Sequence, residues 1–375
     1  MSQKLRIPSH YYVYSDPPNQ DGDETLHFVS GHRRVRMRGR SFREFVQNVV
    51  PLLDGTRTVE EVQKETADLF AAQDLYACLE MLGSQGMLED LGVSEVPAEW
   101  SDFLRPQTNF FRDVSAEPEE LQKRLMKSRV TVFGLGGAGA PCALGLAATG
   151  LGFLDCVDSN PVTTADTYFS PVFPPGATGK LRAELLARRV EALGLRTSFR
   201  SHPEPLGMDD AVREVIEGSH FVVNCLDAGQ SGLAYRVNRV CLALGIPFTS
   251  VEASGAEVIL GPTVDPHRTA CYLCYKMRSV ACSENPEAEF AFQSFLDRRR
   301  QDDSPRHANL SFGVNIAAQM AGMEVMKALT SLPSMTARGR IFVLNLLDIS
   351  IKSHLVLRKP WCPACFADWE DSAST

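Results

Sequence analysis

Four cysteines in two pairs are the residues of this chain best suited to hold a metal ion. Cys271 with Cys274, and Cys362 with Cys365, each form a Cys-x-x-Cys turn. Two thiolates at this spacing bind one side of a metal ion, and two such pairs complete the tetrahedral coordination that Zn²⁺ prefers. Four thiolates leave no open position, so the pattern predicts a structural zinc that fastens the C-terminal tail to its domain. Two unrelated pairs, or a redox couple, are the alternative.

The other cysteines have different surroundings. Cys282 follows the first pair in a polar segment, which predicts an exposed loop thiol without a nearby base. The remaining five stand among apolar residues and are expected to be small core residues. They are Cys78, Cys142, Cys156, Cys225 and Cys241.

A glycine-rich turn follows an apolar strand and precedes an apolar helix, as in nucleotide-binding folds. Its glycines, Gly134, Gly136, Gly137 and Gly139, would let the backbone approach a phosphate. The helix N-terminus would supply unpaired N–H groups and a favourable dipole. The next strand ends at Asp158, whose carboxylate could accept hydrogen bonds from ribose hydroxyls. The pattern predicts nucleotide-fold geometry, either with a ligand or as a tight turn that only packs the helix on the strand.

Strands and helices alternate from residue 130 onward, which indicates a doubly wound, mainly parallel sheet of the α/β class. The expected strands are 130–133, 153–157, 221–226, 248–251 and 257–260. A later pair, 341–347 and 353–357, is expected to form an antiparallel edge.

The first 90 or so residues have another pattern. Short strands are expected at 11–14, 26–30 and 34–38, and in the last of them arginines alternate with apolar residues. Three helices follow, the second opened by a capping box of Thr58 and Glu61. Three strands followed by three helices predict a small α+β winged helix-turn-helix domain. We place this domain at 1–95, a linker with a lead-in helix at 96–127 and the α/β domain at 128–375.

Composition narrows the classes of function. The chain has 375 residues, of which 44% are hydrophobic and 22% charged, as expected for a soluble protein with a large core. The net charge of −8 disfavours a nucleic-acid partner. No apolar run is long enough to span a membrane, and residues 1–10 lack the apolar core of a signal peptide. We therefore expect a cytoplasmic protein with thiols rather than disulfides.

The glycine loop, Asp158 and the segment Asn224-Cys225-Leu226-Asp227 resemble the ThiF/MoeB superfamily over about residues 105–370. Both cysteine pairs match it as well. This is the fold of ubiquitin-activating and sulfur-carrier-activating enzymes, in which ATP adenylates a C-terminal carboxylate. The resemblance implies a site for ATP and Mg²⁺, with Asp227 as the magnesium-binding acid.

Several positions depart from that family. The arginine that clamps phosphates falls on Phe169, three residues after Asp166, and the phosphate-binding lysine falls on Arg182, with Lys180 nearby. A charge-assisted phosphate contact contributes about 1.5–3 kcal/mol, so losing a clamp and adding an acid should weaken ATP binding. Lys180 or Arg182 could compensate in part. Weak or absent ATP use and an active adenylating site both stay open.

Segment 261–278 and the ending 361–365 resemble one branch of the superfamily. It comprises the ThiF-like proteins that make thiazole/oxazole-modified peptides together with YcaO-type cyclodehydratases. There the ThiF-like protein often lacks adenylation residues, delivers the precursor peptide and raises the activity of its ATP-using partner. The resemblance implies a part in the biosynthesis of ribosomally synthesised, post-translationally modified peptides (RiPPs), and a possible homodimer. Some ThiF-like enzymes carry an acyl-accepting cysteine near Cys282, which gives that thiol an alternative role.

Residues 52–61 resemble PqqD-like RiPP recognition elements, winged-helix modules that bind the leader of a precursor peptide. An extended peptide would add to an exposed edge strand, beside a helix that supplies side-chain pockets. The residues expected to bind are Arg34, Val35, Arg36, Met37 and Arg38 on the strand and Leu75, Leu79 and Leu82 on the helix. The arginines would suit an acidic leader. A solvated edge strand that its charges protect from aggregation is the alternative.

The leading interpretation is therefore a leader-binding protein that activates a YcaO-type cyclodehydratase. The alternative is an enzyme that itself adenylates a peptide or carrier-protein carboxylate, as ThiF, MoeB or microcin-type enzymes do. An NAD-dependent dehydrogenase would share the glycine loop but would not explain the cysteine pairs.

Overall fold

The computed structural model describes residues 3–91, 98–115, 117–299, 308–332 and 335–366. The chain divides into two compact units, Met1–Lys123 and Arg124–Thr375. None of the described helices is long and apolar enough to cross a membrane.

The N-terminal unit has the predicted order of three strands and three helices. Strands β2 (Tyr12–Ser15), β3 (Glu24–Val29) and β4 (Arg34–Gly39) form an antiparallel sheet in the order β2-β3-β4. Helices α1 (Phe42–Asn48), α2 (Val59–Glu65) and α3 (Ala72–Ser84) follow, and a short sheet pairs β1 (Leu5–Arg6) with β5 (Glu89–Asp90). The capping box of Thr58 and Glu61 that opens α2 is confirmed.

The core of this unit lies between the sheet and the helices. Strand β3 alternates, with Leu26 and Phe28 fully buried and the residues between them partly exposed. Leu75, Leu79 and Leu82 of α3 are buried in the same core. They therefore hold the helix on the sheet, and their side chains are not available to a bound peptide.

A long helix that the sequence did not predict completes the unit. Helix α4 (Ala98–Val114) runs through Pro106 within the expected linker. Its Asp113 accepts hydrogen bonds from the Tyr11 hydroxyl at 3.2 Å and the Ser30 hydroxyl at 2.7 Å, and so fastens α4 to the sheet. The predicted lead-in helix is observed as α5 (Pro118–Lys127).

The C-terminal unit has the predicted α/β fold. Its described residues form one sheet of β6 (Arg129–Phe133), β7 (Phe153–Val157), β8 (Ser198–His202), β9 (Phe221–Asn224), β10 (Phe248–Ser254), β11 (Glu257–Leu260), β12 (Arg340–Asn345) and β13 (Ser350–Leu355). Their order is β13-β12-β11-β10-β9-β6-β7-β8. Neighbouring strands in the series β10-β9-β6-β7-β8 are parallel. Those in the series β10-β11-β12-β13 are antiparallel, so the expected antiparallel edge is confirmed.

The helices of this unit are α6 (Gly139–Ala148), α7 (Thr164–Phe169), α8 (Arg182–Ala192), α9 (Asp209–Ile216), α10 (Ser231–Leu244), α11 (Tyr272–Ala281), α12 (Pro286–Arg298) and α13 (Ser311–Thr330). Buried alanines on α6 and α13, among them Ala143 and Ala317, share one core cluster with the sheet. This packing fixes the glycine loop, which joins β6 to α6, and the polar residues at the neighbouring strand ends.

Candidate functional site

The glycine loop makes a tight turn that tolerates no side chain at its two ends. Gly134 has a φ of +82°, and a Cβ there would lie 2.5 Å from the Cys225 carbonyl oxygen. A Cβ at Gly139 would lie 1.7 Å from the Gly134 carbonyl oxygen. Asp158, just after β7, accepts hydrogen bonds from the backbone N–H of Leu135 at 2.7 Å and of Asn160 at 2.8 Å. Its carboxylate therefore already holds the loop in place.

Arg182, at the first position of α8, lies between three aspartates. Its Nη1 donates to Asp158 at 3.1 Å and to Asp227 at 2.9 Å, and its Nε and Nη2 donate to the two oxygens of Asp166 at 2.9 and 3.1 Å. The arginine side chain is only 4% exposed. We call Arg182, Asp158, Asp166 and Asp227 the arginine cage. It joins the end of β7, α7, α8 and the segment after β9.

The electrostatics of the cage follow from its burial and its charges. Burial lowers the pKa of Arg182, but the carboxylates of Asp227, Asp158 and Asp166 outweigh this effect and the net shift is upward. Burial, together with the charges of Asp158 and Asp166, raises the pKa of Asp227 in spite of the nearby guanidinium. With three acids and one base ionised, the cage carries a formal charge of −2 and offers little attraction to an anion.

The cage occupies the position where the sequence predicted phosphate binding. A Cβ added to Gly136 would lie 2.6 Å from Asp227 Oδ2, so this carboxylate lies directly against the loop. Arg182 is fully engaged by carboxylates, and Lys180 is exposed outside the cage. Phe169 is buried at the position of the family's clamping arginine. Asp166 also caps α7 by accepting hydrogen bonds from Thr163.

The four paired cysteines come together, as predicted. All four are buried, and their Sγ atoms lie within 4.8 Å of one another. The separations are 3.8 Å for Cys271–Cys274, 3.7 Å for Cys271–Cys362 and 3.6 Å for Cys274–Cys365. A tetrahedral zinc with Zn–S bonds of about 2.3 Å requires sulfur atoms about 3.8 Å apart. The cluster therefore fits a metal ion such as zinc.

Neighbouring groups favour the ionised form of one sulfur, Cys274, while the pKa values of Cys271 and Cys365 are raised, and they also hold the tail in place. Hydrogen bonds from the thiols of Cys271 and Cys365 hold the pKa of Cys274 well below its usual range, and the backbone N–H of Lys359 donates to the same sulfur at 3.4 Å. The thiolate is the form that binds metals. Arg278 of α11 donates to the carbonyl oxygens of Leu357 and Arg358, and so joins the two halves of the cluster.

The remaining cysteines behave as expected. Cys282 is exposed just beyond the end of α11. Burial raises the pKa of the half-buried Cys78 to about 11, and it also raises the pKa of Cys241. The two are core thiols of low reactivity, and Cys142, Cys156 and Cys225 are buried as well.

Strand β4 forms one edge of the N-terminal sheet. Arg34, Arg36 and Arg38 are exposed, whereas Val35 and Met37 pack against the core. Arg33, just before the strand, donates to the carbonyl oxygen of Gln85 at the end of α3 at 2.7 Å. The exposed side of α3 carries Tyr76 and Met81 rather than the predicted leucines.

An open cavity of about 910 Å³ lies between α7 and the first half of α13. Most of its lining is apolar, with Tyr168, Phe312 and Met323 exposed to solvent. Asn315, which is part of the lining, donates a hydrogen bond to the Phe169 carbonyl oxygen at 2.9 Å. Sequence patterns did not reveal this groove, because its residues come from segments far apart in the chain.

The geometry agrees with a direct family match. The ThiF family model matches residues 107–364, and the chain therefore belongs to the ThiF family. The chain is 28% identical over 156 residues to the adenylyltransferase and sulfurtransferase UBA4 of Vanderwaltozyma polyspora, covering 42% of this chain and 35% of UBA4. It thus spans about a third of that relative. The sulfur carrier protein ThiS adenylyltransferase of Escherichia coli is 26% identical over 173 residues, 46% of this chain and 67% of that protein.

Solved structures extend the likeness to both units. A crystal structure of E. coli MccB with AMPCPP and selenomethionine MccA is 18% identical and has a TM-score of 0.68. The match covers 97% of this chain and all of MccB. At this identity the likeness shows the fold alone.

Proposed function

We propose that this protein is the leader-binding, ThiF-like component of a RiPP azole- or azoline-forming system. It presents a precursor peptide to a YcaO-type ATP-dependent cyclodehydratase and raises its activity. The observation that carries the proposal is the arginine cage. Where an adenylating relative needs free cations for a triphosphate, this chain has one guanidinium bonded to three carboxylates. A role that leaves the ATP chemistry to a partner agrees with this arrangement.

The N-terminal unit supports the peptide-binding part of the proposal. MccB, whose fold matches both units, is a microcin C7 biosynthetic enzyme solved in complex with N-formylated MccA. In the present chain the open edge of β4 is the surface where an extended leader would pair. We place Arg34, Arg36 and Arg38 in direct contact with the leader, and Val35 and Met37 beside it on the core-facing side of the strand.

The four-cysteine cluster is proposed to hold one structural zinc. Four buried sulfurs leave no free coordination position, so the ion would contribute stability rather than chemistry. Homodimerisation is also a proposal, and the apolar groove between α7 and α13 is a surface that a second copy would cover.

The alternative function is adenylation of a peptide or carrier-protein carboxylate. It is favoured by the retained glycine loop and Asp158, and by the similarity to adenylyltransferases. The two proposals differ in whether the protein alone activates a carboxylate with ATP.

Calorimetry with Mg-ATP is therefore expected to show little binding up to millimolar concentration, and ATP–pyrophosphate exchange is expected to be absent. The reason is the net negative charge of the cage beside the glycine loop, which repels a triphosphate. The variant Asp166→Asn/Arg182→Lys is the matched comparison. It removes one carboxylate, places the family's lysine at position 182 and should bind Mg-ATP more tightly. A micromolar Kd with exchange activity in the unmodified protein would favour the adenylation alternative instead.

The backbone of β4 indicates where leader pairing can be blocked. The Ser30 N–H donates to the Arg33 carbonyl oxygen at 2.8 Å, so these residues face each other across the hairpin. Hydrogen-bonded and non-hydrogen-bonded pairs alternate along an antiparallel ladder. The N–H and C=O groups of Val35 and Met37 therefore point toward β3, and those of Arg34, Arg36 and Arg38 point toward the open edge.

Arg36→Pro is expected to weaken leader binding at least about tenfold, because proline removes an edge donor that the ligand strand needs. Arg36→Ala is the control, since it removes the same side chain and keeps the N–H. Fluorescence polarisation would use the full-length protein and the labelled leader of a short peptide encoded beside its gene. Equal binding by the two variants would place the leader elsewhere. If a YcaO protein is encoded beside the gene, heterocycle formation measured by mass spectrometry in its presence should be greater with Arg36→Ala than with Arg36→Pro.

A further inference from the structure

The sheet of the N-terminal unit has an open face, which points away from the core. Cross-strand rows on this face join Tyr14, His27 and Arg36, and also Tyr12, Val29 and Arg34. Tyr12 is 76% exposed, and the rings of Tyr14 and His27 are stacked 4.6 Å apart. The face is therefore aromatic on β2 and cationic along β4.

The arginines of this face are not paired with carboxylates in the part of the chain that the structure describes. Among the described residues, no carboxylate forms an ion pair or hydrogen bond with Arg34, Arg36 or Arg38. The neighbouring acids on this side are engaged elsewhere, since Asp16 pairs with His27 and Asp23 lies near Arg40. The backbone positions of successive arginines are about 6.4–6.8 Å apart, because every second residue of an extended strand lies on the same face.

The same three arginines direct their backbone groups toward the open edge, as the hairpin hydrogen bond and the register require. A strand that pairs there places a residue directly opposite each arginine, with its side chain on the same face and its Cβ about 4.5–5.5 Å away. Residues between these positions point to the other face, beside Val35 and Met37, which pack on the core.

We propose that the ligand strand has a two-residue repeat: a carboxylate opposite each of Arg34, Arg36 and Arg38, and an apolar residue at each position between. This deepens the proposed function by giving the leader a sequence pattern, and it rests on pairing at the β4 edge. Charge complementarity alone would also admit a single-stranded nucleic acid. A peptide is favoured because the open edge presents alternating N–H and C=O groups that another peptide backbone satisfies.

The test uses two synthetic peptides of identical composition and about eight residues. One alternates glutamate and leucine, and the other carries them in two blocks. With the full-length protein in fluorescence polarisation, the alternating peptide should bind at least about tenfold more tightly, and its affinity should fall as salt rises. Arg36→Glu/Arg38→Glu should lose both the binding and the preference. Arg188→Glu/Arg189→Glu, an equal charge change on exposed residues of α8, should retain both.

Other outcomes overturn the inference in distinguishable ways. If both peptides bind equally and Arg36→Pro abolishes the binding of both, pairing at the edge stands and the pattern is wrong. If neither peptide binds while the labelled natural leader does, the pattern is also wrong and the proposed function survives. If a single-stranded RNA oligonucleotide displaces the alternating peptide at equal concentration, the surface recognises negative charge rather than an extended peptide.

Discussion

Cys365→Ser is expected to lower the melting temperature by roughly 10 °C or more and to reduce the bound zinc from one ion per chain to substoichiometric amounts. A structural zinc site contributes apparent binding free energies of about 10–16 kcal/mol, and serine is a poor substitute for a thiolate ligand. For a domain of this size, each kcal/mol lost shifts the melting temperature by about 2–4 °C. Calorimetry and elemental analysis of the purified protein measure the two effects.

The structure explains why the effect should be large and supplies a matched control. Cys362 and Cys365 follow the last strand, and through the cluster they join the chain end to α11. Cys282→Ser changes an exposed cysteine just after the same helix and should alter neither zinc content nor melting. Metal-free protein that keeps its full melting temperature would contradict a structural zinc.

Much of the C-terminal fold could be predicted because its strands are mostly apolar and lie next to polar or glycine residues. The bounds of Phe153–Val157 and Glu257–Leu260 were predicted correctly even though Asp155 interrupts the first run and Glu257 begins the second. Strand β8, Ser198–His202, was missed because it lies at the sheet edge and has no apolar run. Helix α4 was missed because Pro106 and the polar residues around it resemble a linker.

The metal cluster and the arginine cage differ in how far the sequence reveals them. The spacing of the four cysteines was enough to predict that they form one cluster, because each pair already provides one side of a metal site. Arg182 matched a phosphate-binding position and was interpreted as possible compensation for the lost clamp. Its actual partners, Asp158, Asp166 and Asp227, come from three other segments, and only the sheet order brings them to one point. Similarly, helical periodicity placed Leu75, Leu79 and Leu82 on one face of the helix, and the structure shows that this face packs in the core.

Arg182→Met is expected to destabilise the protein by about 3–5 kcal/mol at neutral pH, measured by urea unfolding of the C-terminal unit within the full chain. Removing one partner of a buried ion pair leaves its counter-charges without compensation, and here three carboxylates would be affected. Arg189→Met, on the exposed side of the same helix, should change stability by less than about 0.5 kcal/mol. Asp166→Asn combined with Arg182→Met should recover part of the loss.

The pH dependence of this variant gives an independent test of the cage. Burial already raises the pKa of Asp227, and without the guanidinium, which lowers it, this pKa should rise further above its value in the unfolded chain. The folded variant then binds protons more readily than the unfolded chain, so its stability relative to the unmodified protein should improve as the pH falls from 7 toward about 5. A stability difference that stays constant over this range would mean that the carboxylates are solvated and that the arginine cage contributes little to the fold.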